Sequence, residues 1–313
     1  MHPNYIVKTP KLLYIDRYGY IYPDCKTYKT PIIGHLEDPE IIDKVISGVF
    51  GAEEKPVFNM ITVEVSSLCH ARCFYCFQED GKRGERYRYY DSLMDFLDKL
   101  DTYWLFFSGG EILDQKDAMD FMLRYRQRHP DVWVHLKTNG NASADRVDFV
   151  SSCCSSAMVS FNGFTASSCR TLMDVDLEKT IRFCQELKQR KTTNLCVKFL
   201  NSPVCISELP DFLEWAIQIG AKAIAIQTVY HYSFDDAGKS SRGDHAFSGL
   251  DSPYWKQIYG RVAVRIEKIL AKYADVLNQD TCNLASDREL FRLLPLSEHT
   301  RQLFRTDGVY IIE

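Results

Sequence analysis

Three cysteines fall within eight residues of the sequence, CHARCFYC, at residues 69–76. Structural zinc sites use four protein ligands, often as two separated CxxC pairs, whereas Cys69, Cys73 and Cys76 supply three. Each iron of a cubic [4Fe–4S] cluster is usually held by one thiolate, so three thiolates leave one iron open. An open position is where a metal site carries out chemistry. The motif therefore predicts a reactive iron–sulfur site.

Two other interpretations of this motif stay open from the sequence. A zinc-binding module is one, although His70 directly adjoins Cys69 and a residue beside a ligand seldom folds back onto the same metal. Chance clustering of core cysteines is the other, because free cysteine packs as a small hydrophobic residue. The chain has eleven cysteines, and the odd number argues against a disulfide framework. We expect most of the cysteines outside the motif to be buried thiols.

The composition limits the class of protein. The 313 residues are 45% hydrophobic and 26% charged, as in a globular protein with one large domain and appendages. The net charge of −4 gives no bulk attraction to nucleic acid, so no such partner is expected. No apolar run approaches the roughly 18 residues that span a bilayer, and the N-terminus lacks the pattern of a secretory signal. We expect a cytoplasmic protein without a membrane partner.

Alternating strands and helices position the motif. From residue 57 onward, six short and mostly apolar strand patterns are separated by helical ones, which is typical of parallel strands buried on both faces. The cysteine loop follows the first strand, and barrel active sites lie at the carboxyl ends of strands. We predict an α/β fold with a partial (β/α)6 TIM-like barrel over residues 56–232. A small hairpin and helix extension would occupy residues 1–55, and a lid loop with a helical segment residues 233–313.

Four further motifs stand at predicted strand ends. They are FFSGGE at residues 106–111, KTNG at 137–140, VSFNG at 159–163 and AIAIQTV at 223–229. Together with CxxxCxxC and an aromatic residue before the third cysteine, they resemble the radical S-adenosylmethionine (SAM) superfamily. The resemblance covers roughly residues 57–232, more than half of the chain.

This resemblance implies SAM contacts at specific positions. Gly109 and Gly110 would let the backbone approach the methionine part of SAM, and the Glu111 carboxylate would accept from its ammonium group. The other cofactor-binding residues that the resemblance implies are Tyr75, Ser108, Thr138, Asn139, Ser160, Asn162, Arg170 and Gln227.

Individual roles follow from the same resemblance. Tyr75 would border the adenine, and Ser160 would contact the ribose or the carboxylate of SAM. Asn162 stands where many members have aspartate. Met173 stands where many have an arginine, so Arg170 is the nearest candidate to pair with the SAM carboxylate.

The resemblance also implies a reaction. A reduced [4Fe–4S] cluster with one open iron would bind SAM and cleave it to methionine and a 5′-deoxyadenosyl radical, with electrons from a flavodoxin- or ferredoxin-like protein. The radical would abstract hydrogen from a peptide or a small natural-product precursor. A sugar or nucleotide substrate is an alternative within the superfamily. An iron–sulfur electron-transfer or binding protein is an alternative of another class, and the GGE turn argues against it.

Three other segments carry expectations of their own. The N-terminal unit containing Cys25 resembles part of a SPASM-like domain, either as a cluster-free remnant that docks substrate or as an accidental likeness of hairpins. Residues 81–91 mix basic residues with tyrosines and are predicted to form a solvated loop. Residues 231–249 follow the last barrel strand and are predicted to form a lid.

Overall fold

The structure is a computed structural model that describes residues 11–23, 31–51, 57–73, 76, 86–228, 252–277, 281–286 and 288–305. Its strands are β1 (Leu12–Ile15), β2 (Tyr20–Pro23), β3 (Gly34–His35), β4 (Val57–Glu64), β5 (Asp101–Ser108), β6 (Trp133–Thr138), β7 (Ser156–Phe161), β8 (Asn194–Asn201), β9 (Ala223–Thr228), β10 (Asn283–Ser286) and β11 (Phe304–Arg305). Its helices are α1 (Ile41–Phe50), α2 (Tyr90–Leu97), α3 (Lys116–Arg128), α4 (Ala144–Cys153), α5 (Ala166–Met173), α6 (Leu177–Arg190), α7 (Leu209–Gln218), α8 (Pro253–Lys272), α9 (Arg288–Leu293) and α10 (Glu298–Gln302). Short 3₁₀ turns at Ile112–Asp114 and Ile206–Glu208 precede α3 and α7.

The chain forms two compact units, and the first is built on β1 to β6. Here β4, β5 and β6 are neighbours and run parallel, with Ile61 opposite Leu105 and Leu105 opposite Val134. β1 pairs in parallel with the other edge of β4. β2 and β3 continue the sheet in antiparallel fashion.

Helices cover one face of this sheet. Ile61, Leu105 and Phe107 are fully buried on that face, and the Phe107 ring packs edge-on against Phe121 of α3 at 6.1 Å between centroids. Side chains alternate along a strand, so every second residue points to the opposite face. The residues of that opposite face include Thr62, Glu64, Phe106, Ser108 and His135.

The predicted N-terminal hairpin is present as β1 and β2. Asp16 at the turn is buried, and its Oδ1 accepts backbone N–H groups two and four residues further on, at 2.9 and 3.0 Å. Gly19 completes the turn with a φ of +84°, a conformation that favours glycine. The Tyr14 hydroxyl and the Arg17 guanidinium both reach the buried carboxylate of Glu64 on β4, at 3.2 and 3.5 Å. Polar contacts as well as backbone pairing thus attach the hairpin to β4.

The second unit is built on β7 to β11, which pair in sequence order and all run parallel. Ser160 on β7 lies opposite Lys198 on β8, and Lys198 lies opposite Ala225 on β9. Ala225 in turn lies opposite Ala285 on β10. This row of residues defines one face of the second sheet.

An aromatic cluster covers the other face of the second sheet. Phe161 follows Ser160 on β7, and Phe199 follows Lys198 on β8. Both rings pack against Phe212 of α7, at 5.3 and 4.9 Å between centroids. Trp215, one turn further along α7, lies 5.2 Å from Phe161. The helix side of this sheet is therefore the side of Phe161 and Phe199.

The six predicted barrel strands are found as β4 to β9, and the predicted α/β class with its strand–helix order is confirmed. The C-terminal segment contains the predicted long helix as α8, but it also adds β10 and β11 in parallel to β9. These strands have four and two residues, too short for a periodicity signal. The predicted lid at residues 231–249 and Cys25 lie outside the described residues. Within the described part, no helix is both long and apolar enough to cross a membrane.

Candidate functional site

The three motif thiols differ from the other cysteines in their exposure. Ten cysteines lie in the described residues, and all ten are free thiols. Cys69, Cys73 and Cys76 are partly exposed, whereas the other seven are buried. Burial raises the pKa of Cys205 and of Cys282 to about 11, because a thiolate is poorly solvated away from water. The expectation of buried thiols outside the motif therefore holds for the described cysteines.

The GGE turn packs directly on the chain that leads into the cysteine motif. The N–H of Gly110 donates to the carbonyl of Ser66, and the N–H of Glu111 donates to the carbonyl of Leu68, both at 2.7 Å. Val65 N–H donates to the carbonyl of Ser108, the last residue of β5, at 3.1 Å. These bonds extend the β4–β5 pairing beyond the strands, so the GGE backbone fixes the path of the chain up to Leu68.

Close backbone approach explains both glycines. A Cβ atom on Gly109 would meet the carbonyl oxygen of Ser66, and one on Gly110 would meet the carbonyl oxygen of Leu68. Gly109 also has a φ of +133°, which side chains other than glycine rarely tolerate. The sequence predicted close approach to SAM at this turn. The structure adds an approach of the protein to itself, which requires glycine whether or not a ligand is bound.

Glu111 is buried at the start of the 3₁₀ turn, with 1% of its surface exposed. Its Oε1 accepts the backbone N–H of Leu113 at 3.2 Å, so the carboxylate caps the turn. The Gln115 amide donates to the carbonyls of Glu111 and Leu68, at 3.0 and 3.2 Å. The predicted ligand carboxylate is thus held in a fixed position by its own turn.

Two hydrogen bonds tie His70 to the same turn. The Nδ1 atom of His70 lies 2.6 Å from Oδ2 of Asp114, and the His70 backbone N–H donates to the same oxygen at 3.2 Å. The Nδ1 side of the imidazole is therefore engaged by a carboxylate. No set of three His, Cys, Asp or Glu side chains among the described residues is arranged to hold a single metal ion.

In the second unit, a backbone hydrogen bond joins Cys73 and Cys76. The N–H of Cys76 donates to the carbonyl of Cys73 at 3.1 Å. The N–H of Arg72 donates to the carbonyl of Met173 at the end of α5, at 2.8 Å. Tyr75, predicted to border the adenine, lies outside the described residues.

The KTNG motif forms a self-capped turn after β6. The Thr138 hydroxyl accepts the N–H of Gly140 at 3.0 Å, and the Asn139 amide oxygen accepts the N–H of Asn141 at 2.8 Å. Both side chains are buried, and Gly140 has a φ of +67°. The strand-end turn that is the ordinary role of such residues is therefore present.

The VSFNG motif ends β7 and continues into a loop held by Glu208. The Glu208 carboxylate accepts the N–H of Phe164 at 2.5 Å and the hydroxyls of Thr165 and Ser168 at 3.1 and 2.7 Å. A Cβ on Gly163 would run into the Ser168 side chain, so the loop needs glycine there. Sequence reasoning missed Glu208, which is 44 residues from Phe164 and carries no local signal.

The remaining predicted residues take different positions on the second unit. Ser160 is partly exposed on β7, Asn162 is buried just beyond it, and Arg170 is exposed on α5. Gln227 near the end of β9 accepts a hydrogen bond from the ammonium of Lys198 at 3.0 Å. Lys198 was also missed, although a lysine within the apolar strand NLCVKFLN is a visible signal.

Residues 63–215 match the family model of the radical SAM superfamily. This span of the chain is a radical SAM domain. The matched span of this radical SAM protein runs from the end of β4 into α7 and includes all three motif cysteines and the GGE turn. The match confirms the resemblance stated from the motifs. Members of the superfamily use a [4Fe–4S] cluster and SAM. Comparison with curated protein sequences gives no match.

Solved structures share the fold of this radical SAM protein. Streptococcus suis SuiB bound to the precursor peptide SuiA is 10% identical with a TM-score of 0.58, and the likeness covers 82% of this chain and 56% of SuiB. The protein anSMEcpe with bound AdoMet is 15% identical with a TM-score of 0.54, over 73% of this chain and 64% of that one. The same protein with AdoMet and the Cp18Cys peptide gives a TM-score of 0.53 at 15% identity, over 73% and 63%. At such identities the likeness concerns the fold, and the chain spans less than two thirds of each relative.

The residues present fit the cofactors of the superfamily. Thiols that bind iron must be accessible and able to ionise, and the three partly exposed cysteines of the described set are the motif cysteines. The buried Glu111 carboxylate at the GGE turn suits an ammonium group. Cys69, Cys73 and Cys76 are thus the candidate cluster ligands.

Proposed function

We propose that this chain is a radical SAM enzyme that acts on a peptide. Cys69, Cys73 and Cys76 would hold a [4Fe–4S] cluster with one open iron. When bound, the reduced cluster supplies the electron that cleaves SAM to methionine and a 5′-deoxyadenosyl radical, which abstracts hydrogen from the substrate. A flavodoxin- or ferredoxin-like protein would deliver that electron.

One observation carries the proposal: the GGE backbone is bonded to the chain just before the first motif cysteine. Gly110 and Glu111 donate to the carbonyls of Ser66 and Leu68 within a single compact unit. A carrier of electrons alone has no use for a buried carboxylate at a turn that is bonded to the chain just before Cys69. An enzyme that binds the ammonium group of SAM at the cluster does.

Several residues of the chain would bind and orient SAM. Glu111, fixed by its contact with Leu113, would accept from the ammonium without having to reorganise. Ser160 would contact the ribose or the carboxylate of SAM, and the Glu208 network would hold the loop that follows β7 in place. The polar residues of the KTNG turn already have backbone partners, so their role would be to shape the site rather than to bind directly.

A peptide is the substrate class that the structural relatives favour. SuiB is bound to a precursor peptide and anSMEcpe to the Cp18Cys peptide, and both share the fold over most of this chain. No described feature favours a sugar or a nucleotide over a peptide. The experiment with candidate peptides, described below, addresses the class of peptide and the bond that changes.

Anaerobic reconstitution with iron and sulfide tests the cluster and the SAM reaction. We expect a broad absorption at about 400 nm that bleaches with dithionite. We also expect release of 5′-deoxyadenosine when SAM is added. Cys73→Ala should abolish both signals. Cys184→Ala, at a buried thiol, should retain both and serves as the matched control. Release of 5′-deoxyadenosine by the Cys73 variant would overturn the proposal.

The peptide assignment needs a separate measurement. Candidate peptides are added to the reconstituted enzyme, and 5′-deoxyadenosine is measured with and without each peptide. Stimulation together with a mass change in the peptide supports the assignment. The assignment would be contradicted if a sugar or nucleotide increased the release of 5′-deoxyadenosine while peptides encoded by neighbouring genes did not.

A further inference from the structure

A groove lies beside the first half of α8. Its volume is about 410 Å³, within the range of pockets that take a ligand. One wall is the chain that follows β8, and the other wall is the helix. The lining residues include Pro203, Ile206, Tyr254, Trp255, Ile258 and Arg261. All of them belong to the second unit, so the groove is a feature of that unit alone.

Apolar side chains remain exposed at this groove. Tyr254, on its lining, is 66% exposed, and Val204, which directly follows the lining residue Pro203, is 60% exposed. They are the two most exposed large apolar residues in the described part of the chain. Exposed apolar surface that gathers at one place marks an interaction site.

The helix that forms one wall of the groove is fixed at both ends of this wall. The Arg265 guanidinium donates to the Asp211 carboxylate of α7 at 2.5 Å. At the start of the helix, the Ser252 hydroxyl accepts the N–H of Trp255 at 3.5 Å, and the Trp255 ring stacks on Tyr259 at 5.9 Å between centroids. The aromatic wall is therefore in place before a ligand binds, which lowers the entropic cost of binding.

The charge of α8 is opposite to that of the whole chain. The helix carries five lysine and arginine residues and one acidic residue, Glu267, whereas the chain has a net charge of −4. Asp211 balances the charge of Arg265. Arg261 is exposed and forms no ion pair with any described residue. The groove thus presents one uncompensated positive charge beside its aromatic wall.

We propose that this groove binds an apolar peptide segment that carries an acidic residue. The inference rests on the proposed function for the presence of a peptide, and it assigns a docking site to that peptide. A bulky apolar side chain would pack against Trp255 and Ile258, and the carboxylate beside it would accept from the Arg261 guanidinium. Tryptophan, tyrosine and arginine are the residue types that contribute most to binding at protein interfaces.

The position of the groove suits a docking site that is separate from the reacting bond. Pro203 stands two positions after the last residue of β8, so one wall lies by the carboxyl end of the second sheet. Active sites of such folds are built at this end. A peptide anchored in the groove would raise the effective concentration of the rest of its chain there.

The test selects ligands from a library of short random peptides displayed on phage. Reconstituted wild-type holoenzyme is the target, and an excess of soluble Arg261→Glu protein removes peptides that bind elsewhere. Fluorescence anisotropy then gives dissociation constants for the recovered peptides. The same peptides are also measured with glutamine in place of glutamate and asparagine in place of aspartate.

Three variants make the measurement specific. Arg261→Glu and Tyr254→Ala change two exposed residues of the groove. Lys268→Glu is the matched control, because Lys268 is an exposed residue of α8 that forms no ion pair with a described residue and does not line the groove. Melting temperatures report whether each variant folds.

The expected peptides combine an acidic residue with bulky apolar ones. They should bind Arg261→Glu and Tyr254→Ala at least about tenfold more weakly than wild type, and Lys268→Glu like wild type. The amide versions should lose affinity for wild type by a similar factor. Recovery of no peptide, of peptides without acidic residues, or an equal loss in Lys268→Glu overturns the inference.

A second copy of the chain is the competing occupant. Sedimentation velocity of the wild type and of Arg261→Glu tests it without any peptide. An oligomer that dissociates in the variant assigns the groove to self-association and overturns the peptide as its occupant.

Failure of the proposed function looks different. Protein that takes up no cluster and releases no 5′-deoxyadenosine contradicts that function, and the peptide selection is then made on the full chain without cofactors. Recovery of acidic peptides that depend on Arg261 still supports the docking site. An enzyme that cleaves SAM but from which no peptide is recovered keeps its function and loses this site.

Discussion

The Glu208 carboxylate lies 2.7 Å from the hydroxyl of Ser168, a residue forty positions earlier in the chain. Together with the bonds from Phe164 and Thr165, this contact joins the loop after β7 to the 3₁₀ turn after β8. Two neighbouring parallel strands are thereby linked at their carboxyl ends. The geometry of the VSFNG motif consequently depends on a residue outside it.

We expect Glu208→Ala to weaken SAM binding about tenfold, because Ser160 and Asn162 lose the support of their loop. Hydrogen bonds to a charged acceptor contribute about 1.5–3 kcal/mol each, but Glu208 is partly exposed and the loss of stability should be nearer the lower value. Calorimetry with SAM and denaturant unfolding measure the two effects. Glu208→Gln keeps an acceptor oxygen and should recover most of the affinity.

A control separates this effect from general loss of stability. Glu267 accepts the backbone N–H of Ser297 at 2.6 Å, in a part of the chain without any of the motifs. Glu267→Ala should lower stability and leave SAM affinity unchanged. A Glu208→Ala protein that binds SAM like wild type would rule out the positioning role.

Gly110→Ala should disturb the cysteine loop because its Cβ would meet the Leu68 carbonyl. Overpacking of this kind costs about 1–3 kcal/mol of unfolding free energy, and we expect less iron to be bound after reconstitution. Gly48→Ala is the matched control, since nothing lies within 4 Å of a Cβ at that position of α1. That change should raise stability by about 0.5–1 kcal/mol. Normal iron content in Gly110→Ala would contradict the expectation.

Asp114→Asn should speed the loss of iron in air several-fold while changing stability by less than about 1 kcal/mol. The reason is that the His70–Asp114 pair is about one-third exposed and contributes little to folding, yet it fixes the chain next to Cys69. Absorbance decay after exposure to air measures the effect. Asp38→Asn removes a comparable exposed pair with Lys44 and should leave the decay unchanged.

His135 should make stability depend on pH between pH 7 and 5. Burial lowers the pKa of His135 from 6.5 to about 3, since the charged imidazolium is poorly solvated in the sheet. Below pH 6.5 the histidine binds a proton in the unfolded chain but stays neutral in the folded protein. The free energy of unfolding is therefore highest above pH 6.5 and decreases as the pH falls toward 3. From pH 7 to 5 this costs about 2 kcal/mol.

Denaturant unfolding at several pH values tests this dependence. His135→Phe retains an aromatic ring against Phe106, whose centroid lies 4.6 Å away. The variant should lose less stability than wild type by about 2 kcal/mol over the same interval. Parallel pH curves for the two proteins would show that the folded state accommodates the charged imidazole.

Much of the fold and site could be predicted because the signals are local. Three cysteines in one loop, glycines at a strand end and apolar strands between amphipathic helices all fall within short windows. Asp114 and Glu208 could not be predicted in their roles, since each meets a partner more than forty positions away. Such pairs are chosen by tertiary packing. Lys198 is an intermediate case. A lysine within an apolar strand can be noticed in the sequence, whereas its hydrogen bond to Gln227 cannot be predicted from the sequence.

The uneven burial of the cysteines makes the thiol chemistry of the folded protein selective. Iron and alkylating reagents both react with accessible thiolate. Burial suppresses that form at Cys196, whose pKa is raised to about 12, as it does at Cys205 and Cys282. Among the described cysteines, the motif thiols should therefore capture reagents first. Iron taken up by the native protein would be directed to the motif, whereas unfolded chains would bind iron without order. Folding before loading is then the sequence of events that this arrangement favours.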